Sequence, residues 1–171
     1  IRMRLVGSEM CIRDSPWSKR LARRSFLAIQ GTLQTSQLAL ENGVACHLAG
    51  GTHHAFKDFG SGFCVFNDLA YASITLLNQK KVKKILILDL DVHQGDGTAS
   101  ICENIDNIFT CSIHCKNNFP FDKKNSNLDV PIDDEVNDVK YINILTKTLD
   151  QIESNFTPDI VFYDAGVDVH S

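Results

Sequence analysis

Three clusters in this chain carry residue types and spacings suited to metal-assisted hydrolysis. The densest is Leu88-Asp89-Leu90-Asp91-Val92-His93-Gln94-Gly95-Asp96-Gly97-Thr98, directly after the apolar run Ile85-Leu86-Ile87. Asp89, Asp91 and His93 share strand parity, so they point the same way if the backbone stays extended. An Asp-x-His pair offers one hard oxygen and one borderline nitrogen, which suits zinc or another divalent transition metal. The second cluster is Gly50-Gly51-Thr52-His53-His54. Adjacent imidazoles after two glycines can face one reacting atom from different directions, one taking a proton from a water while the other supports or donates. The third is Tyr163-Asp164-Ala165-Gly166-Val167-Asp168. Asp91, His93 and Asp168 together make a three-ligand set with an open position, the arrangement of catalytic zinc. Asp89 and Asp96 are the carboxylates available to orient His53 and His54. Six Cys and six His also permit a Cys–His nucleophile, but no Cys lies on a recognisable nucleophile turn.

Residues so far apart can meet only if the fold gathers them. A short, wholly apolar segment such as 85–88 reads as a buried parallel strand, and ligands of α/β proteins collect at the carboxyl ends of such strands. Residues 107–114 and 158–163 read as two more strands, ending in Ser112/His114 and Asp164/Asp168. A further short strand is expected at 44–48. Helices are expected from Ser15-Pro16-Trp17 to about Glu41, with Gly43 as the stop, and over 69–78, 98–104 and 139–152. The first has an apolar stripe of Leu21, Phe26, Ile29, Leu33, Leu38 and Leu40. Its Arg20, Arg23 and Arg24 are expected to form a solvated basic face. Asn67 or Asp68 is expected to cap the second helix. The lysines of 79–84 read as a solubilising turn. Residues 115–129 read as a polar loop whose Phe119, Pro120 and Phe121 could form one wall of a ligand channel.

Length and composition allow one domain with a real core: 171 residues, of which 43% are apolar. A net charge of −4 gives no footprint for nucleic acid. The six Cys lie among apolar neighbours with no C-x-x-C pair, which fits reduced thiols in a cytoplasmic protein. No run of eighteen apolar residues suggests a membrane span, and no signal peptide is recognisable. Residues 1–14 have no clear period, and the stop at Ser171 just after an apolar strand suggests a piece of a longer protein.

Gly50-Gly51-Thr52-His53-His54-Ala55, Gly62-Phe63-Cys64-Val65-Phe66-Asn67-Asp68, the 88–98 stretch and Tyr163-Asp164-Ala165-Gly166-Val167-Asp168 resemble the zinc-dependent histone deacetylase superfamily. The Asn117-Asn118-Phe119-Pro120-Phe121 loop looks like that of bacterial relatives of class IV deacetylases. The resemblance implies an arginase/deacetylase-like, three-layer α/β/α fold with a mainly parallel sheet, incomplete at both ends. Residues 15–171 would be a partial catalytic domain, and residues 1–14, which do not match, foreign sequence. It implies hydrolysis of acetyl or other acyl groups from acylated lysine or a related small amine. Asp91, His93 and Asp168 would ligate Zn2+. Asp89 and Asp96 would pair with His53 and His54, with His54 as base and then acid. Asp89, Asp91, His93, Ser112 and Ile113 would surround K+. Gly62, Phe63 and Phe119 would line the acyl channel. Two departures stand out. Asp164 occupies a position where relatives often have Asn, and the family's later Tyr, an oxyanion donor, lies outside residues 1–171. Loss of such a donor costs on the order of a hundredfold or more, so a chain without it is expected to be inactive. A non-catalytic acyl-lysine binding module and an arginase-like binuclear hydrolase are the other readings.

Overall fold

The structure, a computed structural model, describes residues 18–169. Helix α1 (Lys19–Asn42) begins at Ser18, whose Oγ accepts from Leu21 N at 3.1 Å. Ser15, Pro16 and Trp17, expected to open this helix, lie outside the described residues. The helix ends where Gly43 adopts φ +87° and its N–H returns to Ala39 O at 2.8 Å, a conformation open to glycine without strain. Only part of the expected apolar stripe is buried. Ile29 and Leu33 are in the core, beside Thr32 and Ser36, while Phe26, Leu38 and Leu40 are exposed. The buried face is therefore 29-32-33-36, a helical repeat that admits two hydroxyls because each has a partner: Thr32 Oγ1 donates to Asp68, Ser36 Oγ to Leu33 O.

No strand forms at 44–48, contrary to expectation. Val44 and Leu48 are among the most exposed apolar residues, and the backbone turns at Leu48 and Ala49. Helix α2 (Asp68–Asn78) is capped by Asn67, whose Oδ1 accepts from Ala70 N at 2.9 Å. It packs on α1 through Leu69, Ala72 and Leu76. The 79–84 lysines are all exposed, as expected.

The remaining elements are β1 (Ile85–Asp89), α3 (Asp96–Cys102), β2 (Ile108–Cys115), β3 (Leu128–Ile132), α4 (Asp138–Glu153) and β4 (Ile160–Asp164), followed by a 3₁₀ turn at Val167–Val169. The four strands form one sheet in the order β3-β2-β1-β4, all pairs parallel. Strand β1 is buried along its whole length because both its neighbours and both its faces are covered. Ile85 and Ile87 enter the cluster beneath α1 and α2; Leu86 and Leu88 enter the one beneath α4, with Leu145, Leu149 and Ile152. This is the expected three-layer α/β/α arrangement. Strand β3 is a correction, since residues 128 and 129 read as the end of a loop and no element is expected at 130–132. It is an edge strand, and Pro131 within it stands opposite His114; an edge tolerates a residue that cannot donate to a further strand. Among the described residues no helix is long and apolar enough to cross a membrane.

Candidate active site

The period of β1 decides where its last residue points. Asp89 follows Ile85 and Ile87, so its carboxylate emerges on the α1/α2 side, where the 50–55 loop lies. There Asp89 Oδ2 meets His53 Nδ1 at 2.7 Å, with both groups buried. The parity argument does not extend further. The strand ends at Asp89 and the chain bends through Asp91–His93. Asp89 Oδ1 accepts from Asp91 N at 3.1 Å, and Asp91 Oδ1 accepts from His93 N at 2.8 Å, so each carboxylate fixes the next step of the bend.

The bend delivers three groups to one spot. His93 Nδ1 lies 3.0 Å from Asp91 Oδ1 and 3.1 Å from Asp168 Oδ2. Asp168 sits in the 3₁₀ turn after β4, and its other oxygen accepts from Val92 N at 3.2 Å. Gly166 makes this approach possible, because a Cβ there would overlap the Asp91 carboxylate and backbone. One atom from each of Asp91, His93 and Asp168 lies within 4.8 Å of the others. Two carboxylates and an imidazole, converging and partly exposed, fit a divalent cation with room for a further ligand.

The two histidines stand beside this group, their ring centroids 4.1 Å apart. His54 Nδ1 lies 2.7 Å from Asp96 Oδ1, which also accepts from Gly97 N at 3.0 Å. An ionised Asp96 can only accept, so the Nδ1–H of His54 donates to it and Nε2 is the ring nitrogen turned to other partners. His53 is in a different electrostatic position. Burial pulls its imidazole down, but Asp89, then Asp164 and Asp91, outweigh that and hold it at about 9. These carboxylates favour the protonated form of the ring, which suits His53 less well than His54 to the role of base.

Of the channel residues, Phe119 is brought to the site, its ring 4.9 Å from His54 and 6.3 Å from His93. Gly62 lies against the His54 ring, too close for a Cβ. Phe63 is 73% exposed on the same turn, at φ +62°. Ser112 stands opposite Asp89 in the β1–β2 register, and its Oγ lies 3.0 Å from His114 Nδ1. Ile113 is buried in the α4-side cluster. Cysteine chemistry is disfavoured: burial pushes the Cys64 thiol up to about 12, far from thiolate formation at neutral pH. The five described cysteines are all free.

Three supporting groups were not legible as such. Asp68, fully buried, accepts from Thr52 N at 2.7 Å, Thr52 Oγ1 at 2.6 Å, Gly51 N at 3.1 Å and Thr32 Oγ1 at 2.5 Å. It thereby fixes the turn that leads into His53 and His54. Asn67 adds its Nδ2 to His53 O and Ala55 O, each at 3.2 Å. The sequence assigns neither of them a role beyond capping the helix. The available signals are that Asn67-Asp68 supplies two caps where one suffices and that it closes one of the stretches carrying the family resemblance. The third is Asp164. Its Oδ2 is buried without a hydrogen-bond partner and lies 3.4 Å from His53 Nδ1. Burial, then Asp89, raises its carboxyl to about 7.

That raised value has a measurable consequence. The folded chain holds the Asp164 proton that the unfolded chain releases near 3.8, so folding stability declines as pH rises from 3.8 through about 7. His53 acts in the same direction at higher pH, its contribution complete below 6.5 and lost through about 9. Asp164→Asn removes the carboxylate penalty. In metal-free buffer it is expected to raise stability by about 1–3 kcal/mol at pH 8 and by clearly less at pH 5. Urea unfolding at the two pH values checks this, and an equal effect at both would contradict the assignment.

The architecture is the α/β/α class shared by arginases and deacetylases, with the converging carboxylates and imidazoles at the carboxyl ends of its parallel strands. A model of the histone deacetylase domain matches residues 3–171. The chain belongs to the histone deacetylase family. It is 51% identical over 155 residues to an uncharacterised protein of Picosynechococcus, a match covering 91% of this chain and 52% of that protein. It is 30% identical over 166 residues to the acetoin utilization protein AcuC of Staphylococcus aureus, covering 89% of this chain and 42% of AcuC. Among solved structures it is similar to a histone deacetylase homologue from Aquifex aeolicus, with TM-score 0.73 and 32% identity over 81% of this chain and 41% of that one. A structure of a histone deacetylase homologue complexed with SAHA matches to the same degree. The chain thus spans about half the length, or less, of these relatives.

Proposed function

We propose that this chain carries much of the catalytic site of a zinc-dependent amidohydrolase that removes acetyl or other acyl groups from acylated lysine or a related small amine. One observation carries the reading: two histidines with separate carboxylate partners stand beside a converging Asp-His-Asp group. Zinc held by Asp91, His93 and Asp168 would supply Lewis-acid polarisation of the acyl carbonyl. His54 takes a proton from the attacking water at Nε2, while Asp96 keeps its Nδ1 side protonated and the ring aligned. As the C–N bond breaks, His54 returns that proton to the leaving amine. His53, tied to Asp89, stabilises negative charge as it develops on the substrate. Phe119 and Phe63 line the approach, and Gly62 lets it pass close to His54. K+ among Asp89, Asp91, His93, Ser112 and Ile113 belongs to the same reading. Free thiols support a cytoplasmic setting. Residues 15–171 are the part of the chain that carries the deacetylase site on this reading.

The second group of potential ligands, His53, Asp89 and Asp164, offers a binuclear alternative. His53 already uses its Nδ1 on Asp89 at hydrogen-bond distance, which favours one metal over two. The test is hydrolysis of an N-ε-acetyl-lysine peptide by the chain and by the same chain extended along its gene. In the extended chain, His54→Ala is expected to keep zinc and to lose about 10²–10⁴-fold in turnover. Unchanged turnover would remove His54 from the role of base.

A further inference from the structure

Away from the histidines, the first turns of α1 form one wall of a cavity of about 320 Å³. Arg20, Arg23, Arg24, Leu27 and Ala28 line it from the helix, and His47 and Ala49 from the facing loop. The helix residues recur at i, i+3, i+4, i+7 and i+8, the spacing of a single face. A face with that spacing and a partner across it is normally apolar. Here its first half is three exposed arginines, whose aliphatic stems supply much of the lining and whose guanidinium groups stand at its open side.

Their placement is electrostatically unfavourable in the chain as it stands. Arg20 repels Arg23 and Arg24 at the two spacings where helix side chains meet. Arg20 lies in the first turn of a 24-residue helix, where the dipole is positive, and that turn has no acidic residue. Among the described residues no carboxylate forms an ion pair with any of them. The cluster does not reflect overall composition, since the chain is net acidic at −4. The opposite wall is fixed. Thr32 Oγ1 gives its only proton to Asp68 and so accepts from His47 Nδ1, which lies 2.9 Å away, and the imidazole is seated against Gly31. Leu27, Ala28 and Ala49 add an apolar margin.

We propose that this cavity binds a small phosphate-bearing anion with at least two negative charges. Guanidinium forks match phosphate oxygens in bidentate geometry, and a doubly charged oxyanion relieves the repulsion among the three cations and complements the helix terminus. The volume is at the low end for small-molecule sites. It suits a diphosphate or a phosphorylated small metabolite, with the apolar margin against its organic part.

Inorganic pyrophosphate titrated into the full chain at low ionic strength, followed by calorimetry and amide chemical shifts, tests this. One saturable site is expected, with shifts centred on α1 and residues 47–49. Two variants attack opposite walls. Arg20→Gln/Arg24→Gln removes two exposed cations, and Ala49→Glu sets a carboxylate in the cavity while leaving every arginine in place. Each is expected to weaken binding at least about tenfold with an unchanged circular dichroism spectrum. Sodium acetate at matched ionic strength is expected to give no saturable binding. Absence of a saturable pyrophosphate site, equal response to acetate, or binding indifferent to Ala49→Glu would overturn the proposal. This test reads binding alone and is independent of any hydrolytic activity.

Discussion

Asp68→Ala is expected to destabilise the chain by about 3–5 kcal/mol, a large share of what a domain of this size possesses. The side chain is fully buried, so no water stands ready to replace it. Removing it strands two backbone N–H groups, of Gly51 and Thr52, and two hydroxyls, of Thr32 and Thr52. A buried donor without an acceptor costs about 1–3 kcal/mol, and partial relaxation keeps the total below the simple sum. The first turn of α2 would also lose a negative charge that its dipole favours. Asp68→Asn keeps the shape but replaces one acceptor with a donor facing donors, and should fall between alanine and the parent. Thermal unfolding is the measurement. At roughly 2–4 °C per kcal/mol for a chain of this size, the alanine variant should melt about 10 °C lower. A change within about 1 kcal/mol would mean that the 50–54 turn is held by something else.

Asp91→Ala/Asp168→Ala is expected to abolish specific zinc binding. Disturbing a group that merely supports a ligand costs about 10–100-fold in metal affinity. Loss of two of three direct ligands should therefore cost on the order of 10⁴-fold or more. Asp168 is partly exposed and Asp91 already sits in a bend, so the double variant should remain folded. Zinc content after dialysis and competition with a chelator read the effect. The unsubstituted chain should hold one zinc and the variant none. Two zincs per chain would favour the binuclear reading through His53, Asp89 and Asp164. A folded, zinc-free parent chain would refute the ligand assignment.

What could be read from the sequence followed from whether a signal was local. The apolar run before Asp89 announced a buried strand, and the 142-145-149-152 periodicity announced α4, because each element carries its own pattern. The His-His and Asp-x-His spacings were equally local, and the structure brings those residues together. Strand β3 was missed because it is five residues long and contains Pro131, an argument against a strand unless its edge position is known. The strand expected at 44–48 failed for the opposite reason. Apolar residues were present, but Val44 and Leu48 find nothing to pack against. Asp68 and Asp164 were undervalued since their partners lie far along the chain, and no periodicity records them. The buried face of α1 was misjudged because Thr32 and Ser36 count as polar in a pattern but are satisfied in the core.

The pairing of β1 with β2 on one side and β4 on the other also sets a timetable. The central strand, which carries the first of the acidic groups, cannot complete its second ladder until β4 arrives, most of the chain's length after His53. Closing loops of that size precedes any reward from the contacts they allow, and sheets built on such closures fold slowly. A nascent chain emerging from the ribosome would therefore leave one edge of β1 unpaired until β4 had been made. Asp91 and His93 would meet Asp168 only after that strand had been made, so metal capture would have to wait for it.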